Sequence, residues 1–391
     1  MQTLLWHNTK ESIKRGCHEI VSRPLYMMFM FFAPLFGAIF MFNLLDRGMA
    51  DRVPSAIVDL DNTEVSRNIA QTLGAFQTVE IKYKLNSFQE ARELVQRGKI
   101  NGFFYIPSDF TKKALAGRQP EISYYINYAY FVPASLLFKG FKTISVMTSA
   151  SIVKTAAVDA GIPEEQVMAQ LQPFPTKVHP LGNPMLNYDI YLGNSFVPGI
   201  LALVVMLMTT FSISMEQKRR TSIEWLHTAG DSIEVAIFGK LFPQTVAFIG
   251  IGWVIQWMMY GFMQFPLNCN PFNMMLAMAL LVLACQGFGV FVSCCIPSPR
   301  FAITVCSFTS ILAFSIGGFS MPVENMYPEL GILSYIIPIR YYFLIYVDQA
   351  LNGFDIYYSR IWYAALLAFT IVPFILLRRL KRFSQHPVYL P

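Results

Sequence analysis

The residues of this chain best suited to act on a partner lie in one short stretch, Met215–Gly230. Glu216, Lys218, Arg219, Arg220, Thr221 and Glu224 crowd its first half, between two long apolar runs. Charge at that density cannot enter a bilayer, so the stretch sits in water. Ile223, Trp225 and Leu226 add apolar surface on a short helix, a pattern that suits docking against another protein. A loop whose cations only fix membrane orientation would carry similar charge.

The other residue combinations that could do chemistry fail on spacing. Gly98–Lys99 and Gly239–Lys240 are not followed by Ser or Thr and lack the glycine spacing of a phosphate loop. His18–Glu19 lacks the second histidine of a zinc-protease helix, because Ser22 stands there. Asp59 and Asp61 start like a calcium loop, but the glycine is missing and Ala70 takes the place of the closing glutamate. A capped turn before a helix fits them better. No serine sits in a nucleophile elbow, and the five histidines, His7, His18, His179, His227 and His386, are scattered. No metal site and no catalytic cluster is expected, which argues against a membrane-anchored enzyme. Adjacent Cys294 and Cys295 read as small hydrophobes, and no disulfide framework is implied.

Composition supplies the frame that must position Met215–Gly230. The chain has 391 residues, 54% hydrophobic and only 14% charged, and a mean hydropathy of +0.43 identifies a membrane protein. Its net charge of +6 comes from cations beside apolar runs, which the positive-inside rule explains without nucleic acid.

Residues 1–24 are polar and basic, with Trp6, Ile13, Cys17 and Ile20 at helical spacing, and read as an amphipathic helix on the inner membrane surface. Residues 25–45 form an uncharged run long enough for a first span, an uncleaved anchor. Residues 46–194 break the pattern and read as an extracytoplasmic α/β domain. Strands are expected at Ala56–Leu60, Val79–Tyr83, Gly102–Ile106 and Ile122–Ile126, and helices at Glu64–Leu73 and Ser87–Arg97, with a capping box from Ser87 to Glu90. A longer helix, Ala134–Ala160, ends at Gly161, and Pro173–Pro184 leads back to the membrane.

Residues 195–391 hold the other spans, Ser195–Met215, Leu241–Phe265, Pro271–Ile296, Phe301–Met321 and Ile361–Leu377. Six spans put both termini inside. Thirteen Lys or Arg then fall on inner segments, against Arg340 and Arg360 on the short outer ones. Near 322–347 the apolar stretch Leu330–Tyr346 is broken by Pro338 and carries Arg340, so a re-entrant pair of short outer helices is expected. Gln256, Gln286, Phe314, Gly317 and Gly318 are candidates to line a substrate path, although amides and small residues also serve ordinary helix packing.

This order of parts resembles the membrane, or permease, subunit of a type-2 ATP-binding-cassette exporter, and the resemblance spans almost the whole chain. Ala56–Ser66 is similar to the family's first outer strand and polar turn. Gly102–Phe110 resembles its apolar strand and Pro-x-x-Phe turn. Glu216–Glu224 resembles the coupling helix, Gly239–Pro243 the start of the next span, and Gly317–Pro328 with Ile337–Tyr341 and Asn352–Gly353 the re-entrant segment. Arg220 departs from the family pattern, which has glycine before Thr221.

The resemblance implies a multi-pass protein of the bacterial inner membrane with no ATPase of its own. ATP and magnesium would bind a separate cytoplasmic ATPase subunit, contacted by the amphipathic helix and by Glu216, Lys218, Arg219, Arg220, Thr221, Glu224 and Leu226. It also implies a homodimer or heterodimer with a similar permease, and it is compatible with a periplasmic adaptor and an outer-membrane channel. The cargo would be hydrophobic or amphiphilic, a drug, a lipid or similar. A membrane receptor with an outer α/β sensor domain is the alternative, but it would not need six spans or a coupling-like inner segment.

Overall fold

The structure is a computed structural model that describes residues 2–45, 52–116, 118, 120–159, 161–171, 189–319 and 321–385. The chain divides into two compact units, Met1–Gly48 with His179–Pro391, and Met49–Val178. Helix α1 spans Gln2–Ser22 and α2 spans Pro24–Leu45. Proline after Arg23 starts α2 in the first-turn position that proline tolerates.

The Met49–Val178 unit runs β1 (Val53–Asp59), α3 (Glu64–Gly74), β2 (Val79–Leu85), α4 (Phe88–Gln96), β3 (Gly102–Ile106), α5 (Phe110–Leu115), β4 (Ser123–Ile126), α6 (Phe131–Asp159) and α7 (Glu164–Leu171). Its sheet has the order β2-β1-β3-β4. β1 lies parallel to both neighbours, with Val53 opposite Val79 and Ala56 opposite Phe103, and β4 closes antiparallel to β3. Both faces of β1 and β3 are covered. Ile57, Phe104 and Ile106 pack with Leu73 and with Leu137, Phe141 and Ile144 of α6, while Ala56, Val58 and Phe103 pack with Ala91 and Ile100. Buried parallel strands read as continuous apolar runs for this reason.

The capped turn before α3 forms through the two aspartates. Asp59 accepts hydrogen bonds from the Asp61 and Asn62 amides and from Ser66 Oγ at 2.7 Å, while Thr63 and Ser66 make a reciprocal capping box. Asp61 Oδ2 accepts from Thr63 Oγ1 at 2.7 Å and Thr111 Oγ1 at 2.6 Å. Partial burial alone would raise the Asp61 carboxyl, but the bonds from Thr111 and Thr63 outweigh it and hold the group below its usual range. The expected capping box at Ser87 does not form: Ser87 occupies the N-cap of α4, yet its side chain caps nothing.

The other unit continues with α8 (Asp189–Lys218), α9 (Ser222–Thr228), α10 (Ile233–Phe262), α11 (Pro271–Cys295), α12 (Pro299–Ile316), α13 (Pro328–Ser334), α14 (Pro338–Leu351) and α15 (Ile356–Gln385). Residues 189–194, expected in the α/β domain, are instead the first turns of α8. Pro173–Pro184 lies outside the described residues. α10 begins eight residues before its apolar run because Ser232 caps it at the Val235 amide, so the cap and not the hydropathy sets its start. α13 and α14 are bent by 84° at the extended residue Ile337, as the proline that follows requires.

Seven helices among the described residues are long and apolar enough to cross a membrane. Six overlap the spans read from the sequence. The seventh is Pro133–Thr155 within α6, whose Leu137, Phe141 and Ile144 fill the core of the α/β unit.

Tyr26, Met30, Leu201, Met206, Phe248, Met278, Leu281, Tyr342 and Leu366 share one large core in this unit. Glycines let its helices approach closely. A Cβ on Gly287 would stand 2.2 Å from the Phe369 carbonyl oxygen, so α11 and α15 touch backbone to backbone there.

Candidate functional site

The Met215–Gly230 stretch is built by two helix ends. α8 stops at a left-handed residue, Arg220, with φ at 61°. The Thr221 amide reaches back to the Glu216 carbonyl at 3.0 Å and the Arg220 amide to Gln217 at 3.2 Å, the bonds of a Schellman cap. The position before Thr221 therefore takes a left-handed backbone, which glycine adopts freely and arginine occupies at a steric cost of roughly 1–2 kcal/mol. α9 ends in the same manner at Gly230, with φ at 64° and the Asp231 amide on the Leu226 carbonyl at 2.9 Å.

These two stops turn α9 so that one face looks inward. Trp225 and Leu226 are buried with Ala229, Ile233, Ala236, Leu377 and Leu380, and Trp225 Nε1 donates to the Ala236 carbonyl at 3.1 Å. Both side chains were expected on a docking face, and this is corrected by their burial. Burying a large apolar side chain is worth about 1.5–3 kcal/mol, which the chain gains within itself rather than leaving to a partner. Lys218, Arg219, Arg220, Ile223, Glu224 and His227 remain exposed. The three cations lie at the carbonyl end of α8 and Glu224 in the first turn of α9, the placements that helix dipoles favour.

Glu216 also departs from the expected role. It is 3% exposed and faces away from water, into a buried charge cluster. Lys240 Nζ on α10 donates to Glu216 Oε1 at 2.6 Å and to Glu19 Oε2 on α1 at 2.5 Å. Arg15 donates to Glu216 Oε2 at 3.1 Å, Arg23 pairs with Glu19, and Thr221 Oγ1 donates to Glu216 at 2.5 Å. Trp225 lies over the cluster with Lys240 Nζ 5.6 Å from its ring centre. Three cations and two carboxylates from α1, α8 and α10 thus meet in one nearly dry site, where each carboxylate keeps at least two charged donors.

Sequence reading missed Arg15, Glu19, Arg23 and Lys240 as a set, because they lie more than 200 residues apart in part and share no motif. The usable signal was Lys240 at the head of an apolar run, where an unpaired charge would be costly. The α1–α10 crossing that brings them together depends on small residues. Gly16 packs on the Gly239 carbonyl, and a Cβ on Gly239 would stand 2.1 Å from Ser12 Oγ.

The five residues proposed to line a path are not gathered in one place. Gln256 Nε2 donates to the Met274 carbonyl at 2.7 Å and to Tyr342 OH at 3.3 Å. Gln286 lines a separate groove of about 620 Å³ with Thr245, Leu283 and Phe374. Phe314 stacks on Phe196 with ring centres 4.9 Å apart and covers Gly199. Gly317 and Gly318 hold the turn after α12, where Arg340, 5% exposed, donates to the Gly317 carbonyl at 3.3 Å and leaves no room for a Cβ on Gly318. Spacing along a helix indicates which face a residue shares, not which neighbour it meets, so these assignments needed the tertiary contacts. Among the described residues no cluster could hold a metal ion.

Residues 25–378 match the family described as ABC-2 family transporter protein. The chain is also similar to the probable multidrug ABC transporter permease YbhR of Escherichia coli (strain K12), with 23% identity over 315 residues, covering 78% of this chain and 80% of that protein. The protein of the same name in Escherichia coli O157:H7 matches with the same figures.

Proposed function

Because this chain belongs to the ABC-2 family of transporter proteins, we propose that it is the exporting permease of a pump whose separate ATPase subunit binds ATP and magnesium. Family membership makes it a transmembrane component of an ABC transporter, with an ATP-binding partner. In this reading six helices span the inner membrane, both termini are cytoplasmic, α13 and α14 form a re-entrant outer pair, and the Met49–Val178 unit is extracytoplasmic. Two permeases, alike or merely similar, pair around the cargo. The outer unit is free to meet an adaptor and an outer-membrane channel. A hydrophobic or amphiphilic cargo accords with the word multidrug in the relative's name and with the Met- and Phe-rich spans.

The observation that carries this reading is the exposed edge of Lys218, Arg219, Arg220 and Glu224, backed by the buried Glu216–Lys240–Glu19 cluster that ties it to α1. A partner pushing on that edge would move α8, α9 and α1 as one body, and differential contacts in two states are what coupling to ATP requires. Affinity capture of the full chain from its native membrane should bring down an ATPase with ATP-hydrolysing activity. Arg219→Glu with Arg220→Glu should abolish that activity and export while leaving membrane insertion intact. Capture of the chain with no nucleotide-binding partner, or normal export by the double variant, would refute the assignment.

A further inference from the structure

We propose that the groove between α10, α11 and α15 binds a long-chain anionic amphiphile carrying one hydrogen-bonding group, a hydroxyl or a carbonyl, about midway along its chain. This rests on the transport reading for the ligand's role as cargo, though not for its binding.

The groove has the volume of a small-molecule site, about 620 Å³, and its walls are apolar, including Ile237, Leu241, Ile249 and Leu283. Phe238, Phe242 and Phe374 line it and are exposed, so it opens sideways from the helix bundle. A chain-like apolar body fits such a wall and can enter from the side.

A buried amide interrupts the mostly apolar lining. Gln286 is 4% exposed, and its Oε1 lies 2.7 Å from Thr245 Oγ1. The single Thr245 hydroxyl proton is also claimed by the Leu241 carbonyl at 2.9 Å. Whichever way the amide is turned, one of its two polar atoms lacks a partner, and in the present orientation that atom is Nε2. A buried amide left half-paired in an apolar groove is incomplete without a ligand, and a ligand hydroxyl satisfies either orientation.

The far end of the groove has the opposite character. Leu377 lines it, and the chain continues as Arg378, Arg379, Lys381 and Arg382 with no acidic residue among them. Lys381 stands four residues after Leu377 on the same helix face, and Glu234, which lines the groove at that end, is itself engaged by Ser232 at 2.8 Å. Cations outnumber the one carboxylate, which selects an anionic head. Glu234 at that end and Thr245, the hydroxyl bonded to Gln286, both line the groove on α10, eleven residues or about 16 Å apart at 1.5 Å per residue. The two polar anchors therefore demand a head and a mid-chain group separated by about that length, which an ordinary diacyl lipid, with its esters close to the head, does not offer.

The test uses the full chain in phosphatidylcholine nanodiscs and follows the immobilised fraction of a spin-labelled stearate by electron paramagnetic resonance. Unlabelled 12-hydroxystearate should displace the label at about fivefold lower concentration than stearate, the worth of one net hydrogen bond. Gln286→Leu should erase that preference, and Arg378→Gln with Lys381→Gln should weaken both acids alike. Ile249→Trp, or Thr370→Phe from the opposite wall should the first fail to fold, should abolish the immobilised fraction. Equal displacement by the two acids in the wild type, a preference that survives Gln286→Leu, or an immobilised fraction untouched by filling the groove would overturn the proposal. Disulfides between copies carrying Phe242→Cys and Phe374→Cys would overturn it too, since a second copy would then cover the groove. No ATPase takes part in this measurement, so failure of the transport reading would leave the displacement series unchanged.

Discussion

Lys240→Met removes the one ammonium that stands between two carboxylates, at 2.5 Å from Glu19 and 2.6 Å from Glu216. The carboxylates are 8% and 3% exposed, so water cannot replace it. Breaking one partner out of a buried pair typically costs about 3–5 kcal/mol. Arg15 on Glu216 and Arg23 on Glu19 keep one cation beside each carboxylate, which places the expected loss at the lower end, about 3 kcal/mol. Glu19 belongs to α1 while Glu216 and Lys240 belong to α8 and α10, so the loss falls on the docking of α1. Ile20→Cys supplies the reporter, because Ile20 is buried against the core; Cys17, Cys269 and Cys295 are replaced by Ala to silence the more accessible thiols. Lys240→Met should raise the rate of maleimide labelling at that site by about a hundredfold, the equivalent of about 3 kcal/mol. Removing the two carboxylates as well, in Lys240→Met with Glu19→Leu and Glu216→Leu, leaves Arg15 and Arg23, which at 27% and 29% exposure can turn to water, and should restore most of the protection. A rise of less than about threefold, or faster labelling of the triple variant than of Lys240→Met, would refute the view that this cluster holds α1 in place.

Three further outcomes follow from the same geometry. Gly239→Ala forces a Cβ to within 2.1 Å of Ser12 Oγ and 2.8 Å of the Ser12 carbonyl carbon, and should raise labelling at the same Cys reporter by about tenfold through overpacking of the α1–α10 crossing. Arg220→Gly relieves a left-handed arginine and should raise the thermal midpoint of the chain by about 2–4 °C in scanning melts; a fall would contradict the backbone reading. Asp61 has a carboxyl lowered in the folded state, so its stabilisation is complete above the unfolded value of about 3.9 and is lost as pH falls through the lower folded value. Melts between pH 6 and pH 3 should therefore lose stability more steeply at the acid end in the wild type than in Asp61→Asn, and equal slopes would show that Thr63 and Thr111 do not hold the ionised form.

The charge-poor runs and the flanking cations were enough to recognise a multi-span membrane protein, because a bilayer sorts residues by hydropathy and charge, both of which are local properties of a chain. The parallel strands β1 and β3 were legible for a related reason: burial on both faces writes a continuous apolar run at Ala56–Val58 and Phe103–Ile106. Helix starts were read less well, since Ser232 sets the first turn of α10 by a hydrogen bond that hydropathy does not record, and Ser87 has the right type for a cap without making one. Arg220 marks the transition between what is local and what is not. Its left-handed backbone is set by cap bonds to Glu216 and Gln217 within one turn, while the inward turn of Trp225 and Leu226 depends on what α10 and α15 present to them.

The sequence by itself determined the class of the protein, its apolar helices, its α/β unit and the stretch where charge must meet water, since each depends on composition or on neighbours within a few turns. Only the tertiary structure decided that Glu216 is buried while Arg219 and Arg220 are free, that Lys240 joins Glu19 to Glu216, and that Gln286 and Gln256 lie in different places. The physical reason is that a charge or an amide in a low-dielectric interior must find a partner, and the partners of these groups come from helices that are remote in sequence and meet only where glycines such as Gly16 and Gly239 let the backbones close.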